Sequence, residues 1–188
     1  MKSTASRETN RLKKVLKPLG RTEAGRAIET AAEHLGPRLV RDGRSRYRAL
    51  GAQLGITRGT GKGTPERRVE VFVIDYLNRR HFRVVVAGNR VAEVGELDWQ
   101  PAFSAEEIEE AEAIVARDER LRTVVRRRGV FSSAFAPGGN AAGERKIGLR
   151  YLVRRRGVAA VLATAEVDLV EQRVMNARTS GSRGASNG

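Results

Sequence analysis

The chain has no cysteine. Disulfides, thiolate-held metals and cysteine nucleophiles are therefore excluded, and a reducing compartment is permitted. Histidine is nearly absent too. His34 and His81 are the only two, and they lie too far apart for the close ligand spacing of a zinc site. Structural places, one near a helix end and one at a strand start, account for both. Aromatic residues make up 5% of the chain, so Val, Leu, Ile and Ala must build the core. No apolar run approaches the ~20 residues of a membrane-spanning helix. The N-terminus shows no apolar signal segment, and Glu8, Glu23, Glu29 and Glu33 argue against a transit peptide. These absences lead us to expect a cytoplasmic protein without a cofactor.

What the chain has in abundance is positive charge. Its 188 residues carry 36 Lys+Arg against 22 Asp+Glu, a net +14. Residues 1–68 hold 17 against 6, a net +11, whereas residues 69–176 are nearly balanced at +1. Such asymmetry suits a basic arm for a polyanion, either nucleic acid or an anionic membrane face. Within it we expect a short helix over Glu8–Lys17, a second capped by Thr22 and stopped by Gly36-Pro37, and a third over Arg38–Leu54. Helical spacing would put Arg41, Arg44 and Arg48 on one face of the third. The run GITRGTGKGTP, residues 55–65, has linker composition.

Beyond the linker, VEVFVID (69–75), HFRVVVA (81–87) and residues 90–97 read as strands, with Gly88-Asn89 as a two-residue hairpin turn. Ser104 and Glu107 then form a capping box. Five glutamates lie within 106–112 and arginines crowd the far end, the polarity a helix dipole favours. A helix from Ser104 to Arg128 would be a rod of roughly 37 Å. Residues 129–143 read as a loop. Ile147–Val153 and Val158–Val170 alternate as two more strands, with Ile147, Leu149, Tyr151 and Val153 inward and Arg150 outward. Strands, a helix, then strands joined by hairpin-length turns predict an α+β fold: one antiparallel sheet packed on one long helix. The expected organisation is a basic helical arm over 1–54, a flexible linker over 55–65, a core over 66–175 and a disordered tail over 176–188. No long repeat is visible, only RRRGV at 126–130 and again at 154–158.

One run resembles a known family. From Phe82 to Gly129 the order is an apolar hairpin, FRVVVAGNRVAEVGEL, a Gln-Pro entry, S-x-E-E-I-x-E-A-x-x-I-V, a short charged step and R-G-V. This is similar to the small domains that precede the catalytic barrel in copper amine oxidases. The resemblance implies a cystatin-like fold and a structural role, because the family's active site lies in a barrel this chain is too short to contain. Amine oxidase chemistry also needs three copper-binding histidines and a quinone-forming tyrosine in an Asn-Tyr-Asp/Glu setting. None of Tyr47, Tyr76 and Tyr151 has that setting.

Other motifs fail on spacing. In the run Gly59–Thr64, Ile56 stands where a phosphate loop needs its first Gly, and Gly63 where Ser or Thr should follow Lys62. Ser132 and Ser133 lack the Gly two residues on that a nucleophile elbow requires. The glutamates at 106–112 are accounted for by the helix dipole and a solvated face without any cation. Phe131 and Phe135 either tuck under their loop or form a patch for a partner. We therefore expect a non-catalytic interaction module with a protein partner or self-association. Polyanion contacts are expected from Arg41, Arg44 and Arg48 and from the turns Arg126, Arg127, Arg128 and Arg154, Arg155, Arg156. The alternatives are a sequence-tolerant nucleic-acid-binding protein or an accessory subunit of a separately encoded oxidase.

Overall fold

Ala27, Ala31 and Leu35 recur every four residues along helix α1 (Arg21–Leu35), so all three fall on one stripe and all are buried. They pack on a sheet face made by Val69, Val71, Val73, Phe82, Val84 and Val86, with Leu39 closing one end. The computed structural model describes residue 13 and residues 15–57, 66–138 and 143–180, with Thr57 and Arg155 as backbone alone. The chain is α+β with antiparallel sheets, and it divides into two compact units, Met1–Pro101 and Ala102–Gly188.

In the first unit a 3-10 turn (Gly36–Arg38) follows α1. A minimal hairpin comes next, β1 (Val40–Arg41) and β2 (Arg44–Ser45), turned by Asp42 and Gly43 at φ 51° and 72°. Strands β3 (Tyr47–Thr57), β4 (Glu66–Asp75), β5 (Arg80–Ala87) and β6 (Arg90–Leu97) form an antiparallel sheet in chain order. Arg67 on β4 ties the N-terminal segment down. It makes paired 2.8 Å hydrogen bonds to Glu23 and donates to the carbonyls of Val15, Lys17 and Pro18.

The second unit has the same plan, a helix followed by four antiparallel strands. Helix α2 (Ala105–Arg117) starts at the Ser104–Glu107 capping box, with both reciprocal hydrogen bonds present. The short helix α3 (Arg122–Val125) leads to β7 (Val130–Phe135), β8 (Lys146–Arg155), β9 (Val158–Asp168) and β10 (Arg173–Thr179), in the spatial order β10-β9-β8-β7. Ala111, Ile114 and Val115 of α2 are buried, as are Ile147, Leu149, Tyr151, Ala163, Ala165 and Val167 on the sheet and Leu121 between the helices. Burying a Leu, Ile or Val side chain contributes about 1.5–3 kcal/mol, so this small aliphatic set stands in for the missing aromatics.

Several expectations are corrected. Residues 38–54 are not a helix: Asp42-Gly43 turns the chain in the left-handed region, and residues 47–57 pair along the whole length of β4. Gly55 approaches β4 closely enough that a Cβ there would stand 3.0 Å from Glu70. The core therefore does not begin at residue 66, and residues 55–57 belong to a strand rather than a linker. There are two four-stranded sheets in place of one. The long helix ends at Arg117, because Asp118 adopts an extended backbone (ψ 122°); at ~1.5 Å per residue α2 spans only ~20 Å. Residues 130–135 are a strand, and so are 173–179, where a disordered tail was expected from 176. Thr22 caps nothing, since the N-cap is Gly20. Val161 on β9, which strict alternation would place on the face of Ala163, Ala165 and Val167, is 44% exposed, because a bulge beside Tyr151 shifts the register. Most of the expected helix over 8–17, the Gly-rich run 58–65 and residues 181–188 lie outside the described residues.

Candidate polyanion interface

Arg41 and Arg44 face each other across the β1–β2 hairpin. With Asp42 and Leu77 they line a pocket of about 330 Å³. Arg48 does not join them. It lies on β3, and it and Arg46, just before that strand, place their guanidiniums 5.9 and 4.7 Å from the ring of the buried Tyr76. The expected single face of three arginines is thus split between a hairpin tip and a cation–π stack. Asp-Gly is a strong hairpin signal in a sequence, and it was available at 42–43. Arg41 also lies 3.9 Å from Asp42, and on the same unit Arg83 pairs with Glu93 at 2.7 Å and Glu70 at 3.6 Å, and Arg80 with Glu96 at 3.9 Å.

The two Arg-Arg-Arg runs are brought together. Val130, which follows the first run and Gly129, pairs with Val153, which precedes the second. Gly129 therefore stands level with Arg154 at one end of the second sheet. Arg156 and Gly157 make the β8–β9 turn with φ 50° and 82°, the left-handed pair of a type I′ hairpin. Among the described residues none of Arg126, Arg127, Arg128, Arg154 and Arg156 has an ion-pair partner, and all five are exposed. Five unneutralised guanidiniums at one end of a sheet create a positive potential that attracts anions. Beside them is a cleft of about 450 Å³ lined by Arg127, Thr123, Thr179 and Ser180, by Val124 and Leu162, and by Arg120, which is paired with Asp118 at 2.6 Å. Guanidinium and hydroxyl groups are donors suited to phosphate oxygens.

Phe131 and Phe135 are on β7, not in a loop, and both point away from α2. Their neighbour Ser132 points the other way and donates to Glu112 of α2. Phe131 is 42% exposed. The Phe135 ring occupies the space over Gly148, where a Cβ would come within 2.3 Å of it, and the Arg150 guanidinium lies 4.4 Å from its centre.

The acidic start of α2 turns out to be more than a solvated face. Glu107 is fully buried against Arg145, with hydrogen bonds of 2.8 and 2.6 Å, and it also accepts from the Ser104 backbone. Arg145 also donates to the Ala102 carbonyl and lies over the Phe103 ring, 4.4 Å from its centre. Glu112 accepts from Ser132 and Glu110 from Gln172. Nearby, the buried Tyr151 hydroxyl has no hydrogen-bond partner among the described residues, and burial, followed by the charge of Glu112, pushes its pKa up. Among the described residues no three His, Asp or Glu side chains gather as a metal site. Nor is any described helix long and apolar enough to cross a membrane. His81 is buried at the start of β5, and His34 lies in the last turn of α1. Compared with known proteins, the chain matches no protein-family model, and no curated protein matches it significantly.

Proposed function

We propose that the chain is a non-catalytic binding module whose ligand is the phosphate backbone of a nucleic acid. The observation that carries this reading is the meeting of the two arginine runs at one end of the second sheet, where among the described residues Arg126, Arg127, Arg128, Arg154 and Arg156 have no ion-pair partner. The neighbouring cleft, with its guanidinium and hydroxyl lining, suits the same ligand. Arg41 and Arg44 supply a second, smaller basic point on the first unit. The helix-on-antiparallel-sheet plan of each unit supports a cystatin-like reading, and the resemblance of residues 82–129 to structural domains supports a role without catalysis. Contacts made by arginines to phosphate carry little sequence preference.

The test is binding of the full chain to a labelled 20-base-pair duplex, followed by anisotropy across a salt series. Each phosphate neutralised should contribute about −0.9 to the slope of log K against log salt. Replacing Arg126, Arg127, Arg128, Arg154 and Arg156 by Gln should flatten that slope by several units, and replacing Arg41 and Arg44 by about two at most. Absence of binding at low salt would overturn the reading.

A further inference from the structure

The sheet face of the second unit that points away from α2 carries two phenylalanines and several arginines, and it leads directly into the arginine turns. Cross-strand partners share a face. Phe131 is partnered by Leu152, Ser133 by Arg150, Phe135 by Gly148, and Thr164 of β9 by both Arg150 and Arg178. Phe131, Ser133, Arg150 and Arg178 are all exposed. Phe131 begins this face one residue after the paired Val130, which itself follows the first arginine run. The carboxylates of the face, Glu166 and Asp168, pair with Gly148 and Lys146, at the end of β8 away from the arginine turns.

Phosphate binding alone gives an exposed phenylalanine nothing to do. A ring on an open sheet face next to a cationic edge is the arrangement that holds unpaired bases: charge follows the backbone while flat side chains stack on bases. Phe135 is already set for such a platform. Gly148 leaves room for its ring above the sheet, and Arg150 stacks against it. In a duplex the base faces are covered by their neighbours, so these rings would have no surface to meet.

We infer that the outer face of the second sheet binds single-stranded nucleic acid, with Phe131 stacking on a base while the arginine turns hold the adjoining phosphates. This rests on the polyanion reading above and narrows it to one ligand class.

The experiment compares three labelled probes on the full chain: a 20-residue thymidine single strand, an abasic phosphodiester strand of equal length and charge, and a 20-base-pair duplex. The thymidine strand should bind roughly tenfold or more tightly than the abasic strand, as one base stacked on Phe131 contributes. Phe131→Ala and Phe131→Leu should both remove that margin and leave the abasic and duplex affinities unchanged. Phe131→Trp should keep it, which a purely structural role for the ring would not predict. Equal affinity for thymidine and abasic strands, or a margin that survives Phe131→Leu, overturns the stacking inference and leaves phosphate binding intact. If none of the three probes binds at low salt, the polyanion reading fails and this inference with it.

Discussion

Asp75 and Asp168 close the same turn at two places in the chain. Asp75 Oδ1 accepts from the backbone N–H groups of Leu77 and Asn78, at 3.2 and 3.1 Å. Asp168 Oδ1 accepts from those of Val170 and Glu171, at 2.8 and 3.1 Å. In each case the residue four positions on, Arg79 or Gln172, is left-handed, with φ 55° or 56°. The residue after the aspartate donates 2.9 Å to the carbonyl just before the preceding strand: Tyr76 to Arg46, and Leu169 to Arg145. The hairpins β4–β5 and β9–β10 are thus built on one pattern, although their sequences share little beyond the aspartate and an arginine five residues later.

Removing that carboxylate should therefore hurt both units alike. Asp75→Ala and Asp168→Ala each leave two backbone donors without their acceptor, so we expect losses of about 1–3 kcal/mol in denaturant melts. Asn at either place keeps an acceptor oxygen and should cost less. If Ala and Asn behave the same, the carboxylate is not what holds the turn.

The Glu107–Arg145 pair should respond in the manner of a buried ion pair. Glu107→Leu or Arg145→Met alone strands a charge in the interior and should cost about 3–5 kcal/mol. The double replacement should recover much of that loss, because the desolvation of both ions is removed together. Additive losses in a double-mutant cycle would show that packing, not charge, decides.

Core truncations test the helix face. Ile114 is 5% and Leu121 0% exposed. Changing either to Ala should cost about 2–5 kcal/mol. A neutral result in urea melts would mean the surrounding side chains refill the space.

Two groups respond to pH in opposite directions. The hydrogen-bonded Arg67 guanidinium holds the Glu23 carboxyl below its ordinary range. Its folded pKa lies under the unfolded value of about 4.3, so its contribution is present above that pH and is lost as pH falls through the folded value. Glu23→Gln should weaken the fold at neutral pH and blunt the fall in Tm on acidification. Tyr151 moves the opposite way. Burial raises its pKa above the ordinary value of about 10, so stability is full below pH 10 and declines above it, as the unfolded chain ionises first. Because its hydroxyl is unpartnered, Tyr151→Phe should leave stability at neutral pH unchanged or higher, and should remove that alkaline decline. A loss at pH 7 would reveal a partner for the hydroxyl.

Much of the fold is legible where a signal is local. The Ser104–Glu107 box spans four residues and needs no distant partner, and it forms as read. Gly88 has the positive φ, 63°, that its turn needs. The alternation of Ile147, Leu149 and Tyr151 against Arg150 is a property of a pleated strand, and those three side chains are buried while Arg150 is exposed. Residues 47–57 misled for the complementary reason. Arg, Ala, Leu and Gln favour a helix when nothing else intervenes, and only pairing with β4, reached through ten register partners, makes them a strand.

The amino-acid sequence by itself settled the charge, the absence of thiol chemistry, the start of α2, the Gly88-Asn89 turn and the α+β class, because each follows from composition or from neighbours within a few residues. Tertiary structure alone decided the rest. It divided the strands into two sheets, because strand pairing depends on partners that local propensity does not name. It buried Glu107 against Arg145, 38 residues away, where helix-end grammar accounts only for a capping glutamate. It also set Arg126–Arg128 beside Arg154–Arg156, since antiparallel register brings together the beginning of one strand and the end of the next.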